Sequence, residues 1–285
     1  MTMYPDRAGK VAVITGAGRT NGLGAAIARK LASNGARIVV HDLGKAAGDM
    51  APDGGVGGSD EMRAVAADIR AAGAEVTTFA ADMRAEDEVA ALVAHAVATF
   101  GRLDILVNNA GVGYLFGSLI EATQDRWDTV LNVNLRGAFF AMKHAARQML
   151  LQDIAEGWGR GRIVSIASRA AKSGSALTSS YVASKHGLIG LTRSAAIELG
   201  PEQITVNAVC PNHVTTGLGE WQNAFMAEKR GQSVADYLEA MRDRIPLGRV
   251  GDVEDTANAS AFLCSGQARY ITGEAMNVSG GEEMH

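Results

Sequence analysis

The residues best suited to proton transfer lie in one short stretch, where Tyr181 and Lys185 are four positions apart. In a helix, residues four apart share one face, so the two side chains would be neighbours. A free phenol has a pKa of about 10 and exchanges protons poorly at neutral pH. An ammonium group about 4 Å away would stabilise the phenolate by roughly 4 kcal/mol. We therefore predict that Lys185 lowers the pKa of Tyr181 and makes it a general acid or base.

A serine upstream adds weight to this pair. Ser168 ends the apolar run RIVSIAS and stands thirteen residues before Tyr181. A serine at the carboxyl end of a strand faces the crevice where α/β proteins bind ligands, and its hydroxyl can hold a substrate oxygen. The combination favours an enzyme that moves a proton to or from that oxygen.

A glycine-rich turn near the amino terminus indicates a nucleotide site. The first predicted strand runs directly into TGAGRTNGLG at residues 15–24, and a helical pattern follows. Such a turn lets phosphate groups approach the backbone, and the N–H groups at a helix N-terminus carry a partial positive charge. The place of this turn in a strand-turn-helix unit favours a dinucleotide over a plain tight turn.

The residue that ends the second predicted strand bears on the choice of coenzyme. Asp42 stands there, eighteen residues after Gly24. A carboxylate in that place can accept hydrogen bonds from the adenosine ribose of NAD, and it would repel the extra phosphate of NADP. Arg19 is a contrary sign, because a cation in the turn could pair with that phosphate. Since the strand-end position is the fixed one, we predict NAD rather than NADP.

Alternating strands and helices must position these residues. Seven short apolar runs are predicted as strands: Val11–Thr15, Arg37–His41, Glu75–Ala80, Ile105–Asn108, Arg162–Ala167, Thr205–Cys210 and Ala275–Val278. Several runs are continuously apolar, which is typical of parallel strands buried on both faces. The pattern predicts an α/β fold, in which residues 1–285 form one doubly wound domain. Its parallel sheet would have about seven strands, with helices on both faces.

Three segments interrupt the alternation. Residues 43–59 are rich in Gly and Ala and are interpreted as a long flexible loop, and residues 152–161 break a helix-to-strand connection. Residues 215–241 follow the sixth strand, and we predict that they form a substrate lid, because long loops in compact domains often cover binding sites. The lid residues that could meet a substrate are Trp221, Gln222, Asn223, Phe225 and Met226.

Composition argues against several functional classes. The 285 residues carry a formal net charge of −4 without a long basic run, so nucleic acid is not an expected partner. No apolar run approaches the roughly 20 residues that span a bilayer. The start MTMYPDRAGK lacks the apolar segment of a secretory signal, so we expect a cytoplasmic protein with no membrane partner. The histidines and cysteines show no metal-ligand spacing, and we predict no metal.

Together these motifs resemble the short-chain dehydrogenase/reductase family over nearly the whole chain. The matching segments are YVASK at Tyr181, the upstream Ser168, NNAG at residues 108–111 and NVNL around Asn134. The resemblance implies a Rossmann-type fold and direct hydride transfer without a metal. It implies that Tyr181 is the acid or base and that Ser168 holds the substrate oxygen. It also implies that Lys185 lowers the pKa of Tyr181 and binds the nicotinamide ribose, while Asn134 holds a water linking Lys185 to solvent.

The family pattern also implies a set of coenzyme contacts. Asp82 matches the adenine-pocket acid, and Pro211 and Thr216 match the stretch that contacts the nicotinamide amide. The predicted catalytic residues are Ser168, Tyr181, Lys185 and Asn134. The predicted coenzyme-binding residues are Gly16, Arg19, Asn21, Gly22, Leu23, Asp42, Asp82, Met83, Asn109, Ala110, Gly111, Tyr181, Lys185, Pro211, Val214 and Thr216.

The chain departs from the family pattern at two places. Gly16 and Gly22 are two residues further apart than in the usual TGxxxGxG turn, which indicates a two-residue insertion. Asn212 stands where the family usually has glycine after Pro211, and asparagine tolerates unusual backbone angles. The next residue, His213, is interpreted as exposed or packed rather than as a substrate contact.

Two resemblances within the family conflict over the substrate. The loop at residues 42–59 is similar to that of hydroxyacyl-CoA dehydrogenases, whereas RIPLGRVGDVEDTA and ITGEAMNVSGG are similar to the polyol, diol and sugar-alcohol members. We predict a small-molecule substrate, a secondary alcohol of the polyol, sugar or diol type, which NAD oxidises to a ketone. The alternatives are a 3-hydroxyacyl-CoA dehydrogenase, an NADP-dependent 3-ketoacyl reductase and a non-catalytic nucleotide-binding protein.

The resemblance further implies a homotetramer in which long helices pack across a two-fold axis. The helix that carries Tyr181 also carries Gly187, Gly190 and Ser194, small residues three and four apart. Small residues on one face permit the close approach of another helix.

Overall fold

A parallel sheet of seven strands forms the centre of the molecule in the computed structural model, which describes residues 4–45 and 57–285. The strands are β1 Val11–Ile14, β2 Arg37–Asp42, β3 Val76–Ala80, β4 Ile105–Asn108, β5 Gly161–Ile166, β6 Ile204–Pro211 and β7 Ala275–Val278. Their order in the sheet is β3-β2-β1-β4-β5-β6-β7, and every neighbouring pair is parallel. The seven predicted strands are confirmed, and their ends differ by at most one residue.

Helices cover both faces of this sheet. Within the described ranges they are α1 Leu23–Ser33, α2 Ser59–Ala71, α3 Glu86–Phe100, α4 Gln124–Leu131, α5 Ala138–Leu150, α6 Ser179–Leu199, α7 Gly217–Lys229, α8 Val234–Arg244 and α9 Val253–Leu263. None of them is long and apolar enough to cross a membrane. The predicted doubly wound α/β architecture is therefore confirmed.

Each face of the sheet has its own apolar core, and the strands supply both. In β1, Ile14 points into the core that contains Ile27 of α1, whereas Val13 points into the core that contains Leu92 of α3. Successive side chains of a strand point to opposite faces, so a strand covered on both sides must be apolar throughout. This explains why the predicted strands are continuous apolar runs.

The three predicted interruptions have different outcomes. Residues 46–56, most of the predicted flexible loop, lie outside the described residues. The ends of that loop meet where the Gly44 N–H donates to the Gly57 carbonyl at 3.2 Å. Residues 152–161 connect α5 to β5, as predicted.

The predicted lid segment consists of two helices. Helices α7 and α8 pack around a small apolar cluster of Ala227, Tyr237, Met241 and Ile245. Met226, predicted as cover for a substrate, packs against this cluster. The segment thus has a core of its own, and α8 continues three residues past the predicted end at position 241, to Arg244.

Candidate active site

A cleft opens at the carboxyl ends of the strands, where the order of the sheet reverses beside β1. Sixteen of the predicted site residues lie on its wall: Gly16, Arg19, Gly22, Leu23, Asp42, Asp82, Met83, Asn109, Ala110, Gly111, Ser168, Tyr181, Lys185, Pro211, Val214 and Thr216. The two other predicted residues are not on this wall: Asn21 is exposed and Asn134 is buried.

The glycine-rich turn is fixed to the segment that follows β4. Gly16 has a φ of +65°, and a Cβ there would lie 2.7 Å from the Cα of Ala110. The left-handed conformation and this close approach together require glycine. The Thr15 hydroxyl accepts hydrogen bonds from the N–H groups of Asn109 and Ala110, both at 3.0 Å. The Asn109 amide donates back to the carbonyls of Thr15 and Gly16, both at 2.9 Å.

The start of α1 has the features of a phosphate site. Gly22 precedes the helix and provides no side-chain cap, so the N–H groups of the first turn keep their hydrogen-bonding capacity. Gly22 and Leu23 both lie on the cleft wall. Backbone donors at the positive end of a helix, beside a turn of glycines, suit the pyrophosphate of a dinucleotide. The residues present therefore fit a nicotinamide coenzyme.

Side chains from α1 and α2 hold Thr20, where the sequence pattern predicts the two-residue insertion of this turn. The N–H and hydroxyl of Thr20 donate to Glu61 Oε1 at 2.9 and 3.1 Å. Arg29 donates to the Thr20 carbonyl at 2.9 Å and pairs with Asp68 at the same distance. Thr20 is thus tied to both helices. Glu61 has no motif around it, and sequence reasoning missed it.

Two adjacent residues at the end of β2, His41 and Asp42, accept hydrogen bonds from the backbone of the glycine-rich turn. Asp42 accepts hydrogen bonds from the N–H groups of Gly18, at 2.9 Å, and Leu43, at 2.8 Å. His41 Nδ1 accepts the Gly16 N–H at 3.4 Å, so its Nε2 carries the proton and donates to the Ala81 carbonyl at 3.0 Å. Burial lowers the pKa of His41, which keeps the ring neutral. His41 lies on the cleft wall, and its place before Asp42 is the signal that could have indicated it.

An arginine stands beside the predicted adenine-pocket acid. Arg84 forms a bidentate ion pair with Asp82. The Arg84 Nε lies 3.0 Å from both carboxylate oxygens, and its Nη2 lies 2.6 Å from Oδ2. The hydrogen bonds from Arg84 lower the pKa of Asp82. Arg84 and Arg19 both act electrostatically on Tyr114, whose pKa is raised by burial. Two cations therefore border the coenzyme side of the cleft, and only Arg19 had been predicted.

The predicted proton-transfer residues come together at the opposite end of the cleft. Tyr181 and Lys185 lie in the first two turns of α6, and the Lys185 Nζ is 5.6 Å from the centre of the Tyr181 ring. The ammonium donates to the Ile166 carbonyl at 2.8 Å, and burial lowers its pKa to about 8. Ser168 follows β5; its hydroxyl accepts the Ala170 N–H at 3.1 Å and acts to lower the pKa of the Tyr181 phenol.

The direction of the Tyr181 pKa shift corrects the expectation from the sequence. Burial raises this pKa, and the contact with Ser168 opposes the rise without cancelling it. Lys185 is not among the groups that act on this pKa, and its ammonium donates to the Ile166 carbonyl. The site thus stabilises the protonated phenol, which is the form that can donate a proton to a carbonyl oxygen.

Asn134 acts on the backbone behind the cleft. It lies in a six-residue π-helical segment, Asn132–Gly137, between α4 and α5, and such segments often occur at functional sites. Its amide accepts the Val112 N–H at 2.6 Å and donates to the Val112 carbonyl at 3.0 Å and to Ser184 Oγ at 3.1 Å. These contacts fix the segment after Gly111. Its predicted role in holding a water stays a prediction.

An aromatic cluster joins the predicted lid to Tyr181, the predicted catalytic residue. The ring centre of Phe116 lies 6.2 Å from that of Tyr181, 6.0 Å from Trp221 and 6.1 Å from Phe225. Trp221 and Phe225 stack on each other at 5.3 Å. The predicted lid residue Gln222 donates to the Gly113 carbonyl at 2.6 Å. Sequence reasoning missed Phe116, although the aromatic residues directly after the NNAG segment are a usable signal.

Comparison with known proteins agrees with this geometry. The family model described as enoyl-(acyl carrier protein) reductase matches residues 16–283. The 3-oxoacyl-[acyl-carrier-protein] reductase FabG of Staphylococcus aureus (strain Mu50 / ATCC 700699) is 36% identical over 276 residues, 96% of this chain and 98% of that protein. The L-rhamnose 1-dehydrogenase (NAD(P)(+)) of Azotobacter vinelandii (strain DJ / ATCC BAA-1303) is 38% identical over 277 residues, 95% of this chain and 96% of that protein. The crystal structure of levodione reductase superposes with a TM-score of 0.83 at 30% identity, covering 96% of this chain and 98% of that one.

The chain belongs to the short-chain dehydrogenase/reductase family. It is an NAD(P)-dependent oxidoreductase that acts on CH–OH groups. The family predicted from the motifs is confirmed, and the interpretation as an enzyme is confirmed over a non-catalytic nucleotide-binding protein.

Proposed function

We propose that this enzyme oxidises a secondary alcohol of the polyol, sugar or diol type to a ketone, with NAD as its coenzyme. The observation that carries the proposal is that Ser168, Tyr181 and Lys185 lie on the same cleft wall as the strand-end carboxylate Asp42. Residues 1–285 act as one domain in this proposal, and residues 215–241 act as a lid over the substrate.

Each polar group near α6 has a part in the proposed reaction. The bound coenzyme supplies the nicotinamide that accepts a hydride. The Ser168 hydroxyl holds the substrate oxygen, and the Tyr181 phenol exchanges a proton with that oxygen. Burial lowers the pKa of Lys185 to about 8. In the proposed reaction Lys185 binds the nicotinamide ribose, and its positive charge stabilises negative charge on the Tyr181 oxygen. Asn134 fixes Val112 and so the cleft wall at Gly111.

The preference for NAD rests on Asp42. The N–H groups of Gly18 and Leu43 hold its carboxylate at the end of β2, where the adenosine ribose of a dinucleotide lies in this fold. A phosphate on that ribose would meet a negative charge fixed in place. Arg19 and Arg84 lie on the same wall and favour the competing coenzyme. The relative from Azotobacter vinelandii is named for both NAD and NADP.

The lid supports a compact, hydroxylated substrate. The aromatic surfaces of Phe116, Trp221 and Phe225 suit the carbon skeleton of a sugar or diol, whereas its hydroxyls need hydrogen-bond partners on the wall. A long acyl thioester would need free cations at the mouth for its phosphates. Among the residues of the lid segment only Lys229 and Arg230 are cations, and they lie over the rings of Phe225 and Tyr237.

A second candidate is an NADP-dependent reductase of 3-ketoacyl thioesters. The similarity to FabG of Staphylococcus aureus over 96% of the chain favours it, as do the cations Arg19 and Arg84 beside the coenzyme end of the cleft. The raised pKa of Tyr181 favours the reducing direction, in which the protonated phenol donates to the substrate oxygen; in the oxidising direction the phenol must first lose its proton.

We also propose a homotetramer that packs through α6. Gly190, Ser194 and Ile197 are exposed on this helix, and Ile197 is 80% exposed. Gly187 plays a different part from the one expected, since a Cβ there would lie 2.9 Å from the Leu135 side chain of the same chain. Light scattering at micromolar concentration should give four times the mass of the chain, and a monomer would contradict the proposal.

The experiment that tests the function is a side-by-side comparison of substrates with NAD and with NADP. Polyols, sugars and diols should give the higher kcat/KM with NAD, measured by the absorbance of the reduced nicotinamide. Ser168→Ala, assayed in parallel, should lose most of this activity and so exclude a contaminating dehydrogenase. A tenfold advantage of 3-hydroxyacyl-CoA thioesters, about 1.4 kcal/mol of transition-state binding, would overturn the polyol assignment.

A further inference from the structure

The residue that replaces the usual glycine after Pro211 ties the cleft wall to the carboxyl terminus. Asn212 lies on the wall, and its backbone N–H donates to the Val278 carbonyl at 3.0 Å. Its side-chain amide donates to Glu282 Oε2 at 2.5 Å and to the Ser279 carbonyl at 3.3 Å. Glycine could make only the first of these three hydrogen bonds.

The same glutamate reaches the lid with its other oxygen. Glu282 Oε1 accepts a hydrogen bond from Arg244 Nε at 3.3 Å, and Arg244 is the last residue of α8. The Glu282 side chain is 13% exposed, so the carboxylate is largely shielded from water. Hydrogen bonds to a shielded, ionised carboxylate are stronger than neutral ones. One carboxylate therefore joins the cleft wall to the second helix of the lid.

Packing adds to this connection. The Leu247 N–H donates to the Gly280 carbonyl at 3.1 Å. Gly280 has a φ of +64°, and a Cβ there would lie 2.6 Å from Cγ2 of Ile245. Ile245 belongs to the apolar cluster of the lid. The carboxyl-terminal turn therefore lies directly against the segment by which the chain leaves the lid.

We propose that the turn Ser279–Glu282 anchors the lid over the cleft, and that Asn212 and Glu282 are its positioning residues. The inference rests on the proposed role of residues 215–241 as a substrate lid. The amino-terminal part of the lid is already held by Gln222 and the rings around Phe116. The anchor fixes the other end, so the two attachments together set how closely α7 and α8 approach the substrate.

The neighbouring glutamate provides a matched control. The hydrogen bonds described for Glu283 are made by its backbone, whose carbonyl accepts from Asn277 and Ser279 and whose N–H donates to Ser279. Glu283→Ala removes one negative charge from the same turn and leaves the Asn212–Glu282–Arg244 connection intact. Glu282→Ala removes the same charge and breaks that connection.

Hydrogen exchange of the full-length protein tests the anchor without any substrate. In Glu282→Ala, peptides from residues 217–244 should exchange about tenfold faster than in the wild type, which corresponds to about 1.4 kcal/mol. Peptides from β1 and β2 should not change. Arg244→Ala should also speed exchange in the lid, and Glu282→Gln, which loses the charge and keeps only one of the two acceptor oxygens, should be intermediate. Equal lid exchange in Glu282→Ala and Glu283→Ala would overturn the proposal.

Kinetics provide a second readout once a substrate is known. Glu282→Ala should raise the KM of the alcohol at least fivefold and leave kcat and the coenzyme KM within twofold, because only the lid is loosened. If the alcohol KM, the coenzyme KM and kcat all worsened together, the substitution would have damaged the whole site, and a positioning role would be contradicted. If Glu282→Ala does not fold, the same kinetic constants are measured for Asn212→Gly, which removes the side-chain hydrogen bonds from the cleft wall to Glu282 and Ser279. Since hydrogen exchange needs no turnover, a failed substrate assignment and a failed anchor give different results.

Discussion

The two ends of the cleft are built in different ways. At the coenzyme end, the glycine-rich turn is held by hydrogen bonds with Asn109, His41 and Glu61, which belong to three separate elements or their ends. At the substrate end, α7 and α8 share their own small core. They meet the body through ring contacts, the Gln222–Gly113 hydrogen bond and the carboxyl-terminal turn.

This difference separates coenzyme binding, which the enzyme shares with its relatives, from the proposed recognition of its own substrate. A rigid turn with exposed backbone donors suits a coenzyme that many relatives share. A lid with its own core can change its residues without disturbing the sheet. The coenzyme end should therefore respond to single substitutions with large losses, and the lid with smaller changes confined to the substrate.

The largest effect should follow from a methyl group at Gly16. In Gly16→Ala the new Cβ would lie 2.7 Å from the Ala110 backbone, and the residue would keep a φ of +65°. We expect kcat/KM for the coenzyme to fall about 100-fold, or about 2.7 kcal/mol. Gly200→Ala is the control, since a Cβ there would meet nothing within 4 Å. Coenzyme kinetics like those of the control would show that the turn is not rigid.

Two histidines, the buried His41 and the partly buried His213, extend the comparison to pH. His41 uses both ring nitrogens, whereas His213 Nε2 has no hydrogen-bond partner among the described residues, and burial lowers the pKa of His213 to about 4. The unfolded chain takes up this proton near pH 6.5, so the stabilisation is complete above that pH and is lost as the pH falls towards 4.

Replacing His213 tests this difference. Between pH 7 and 5 the wild type should lose about 2 kcal/mol of unfolding free energy through His213, a loss that His213→Gln avoids. Denaturant unfolding at both pH values measures it, and His186→Gln, at an exposed position, is the control. Equal pH slopes in the wild type and His213→Gln would mean that the imidazole is protonated in the folded protein.

A smaller effect is expected for the coenzyme preference. Asp42→Ala removes the carboxylate that the Gly18 and Leu43 N–H groups hold, so the ratio of kcat/KM for NAD over NADP should fall about tenfold, or about 1.4 kcal/mol. Asp60→Ala, on the exposed side of α2, should leave the ratio unchanged. If Asp42→Ala also leaves the NAD/NADP ratio of kcat/KM unchanged, Arg19 or Arg84 decides the coenzyme preference instead.

The smallest effect should come from the lid. Trp221→Ala removes the ring that stacks on Phe225 and meets Phe116, and it should raise the KM of the substrate about fivefold, or about 1 kcal/mol. The coenzyme KM should stay within twofold. Trp127→Ala is the control at a surface position. An equal rise in both KM values for Trp221→Ala would mean that the two ends of the cleft are not separable.

The same difference explains what the sequence could predict. Buried parallel strands are continuous apolar runs, so their ends could be placed within one residue, and motifs at those ends identified most of the cleft wall. Glu61 and Arg84 carry no motif, and Glu61 meets the turn only because α2 packs beside it. The pKa of Tyr181 depends on burial and on where Lys185 donates its hydrogen bond. The spacing of residues in the sequence predicts neither the burial of Tyr181 nor the hydrogen-bond partner of Lys185.

The central claim is that Tyr181 carries the proton in a reaction with a nicotinamide coenzyme. Tyr181→Phe keeps the ring that contacts Phe116 and removes the hydroxyl beside Ser168. The deciding measurement is its turnover on the best alcohol substrate, together with the binding of reduced coenzyme followed by fluorescence. We predict that kcat falls at least about 100-fold while the coenzyme binds within about twofold of the wild-type affinity. Near-normal turnover in this variant would contradict the assignment of Tyr181.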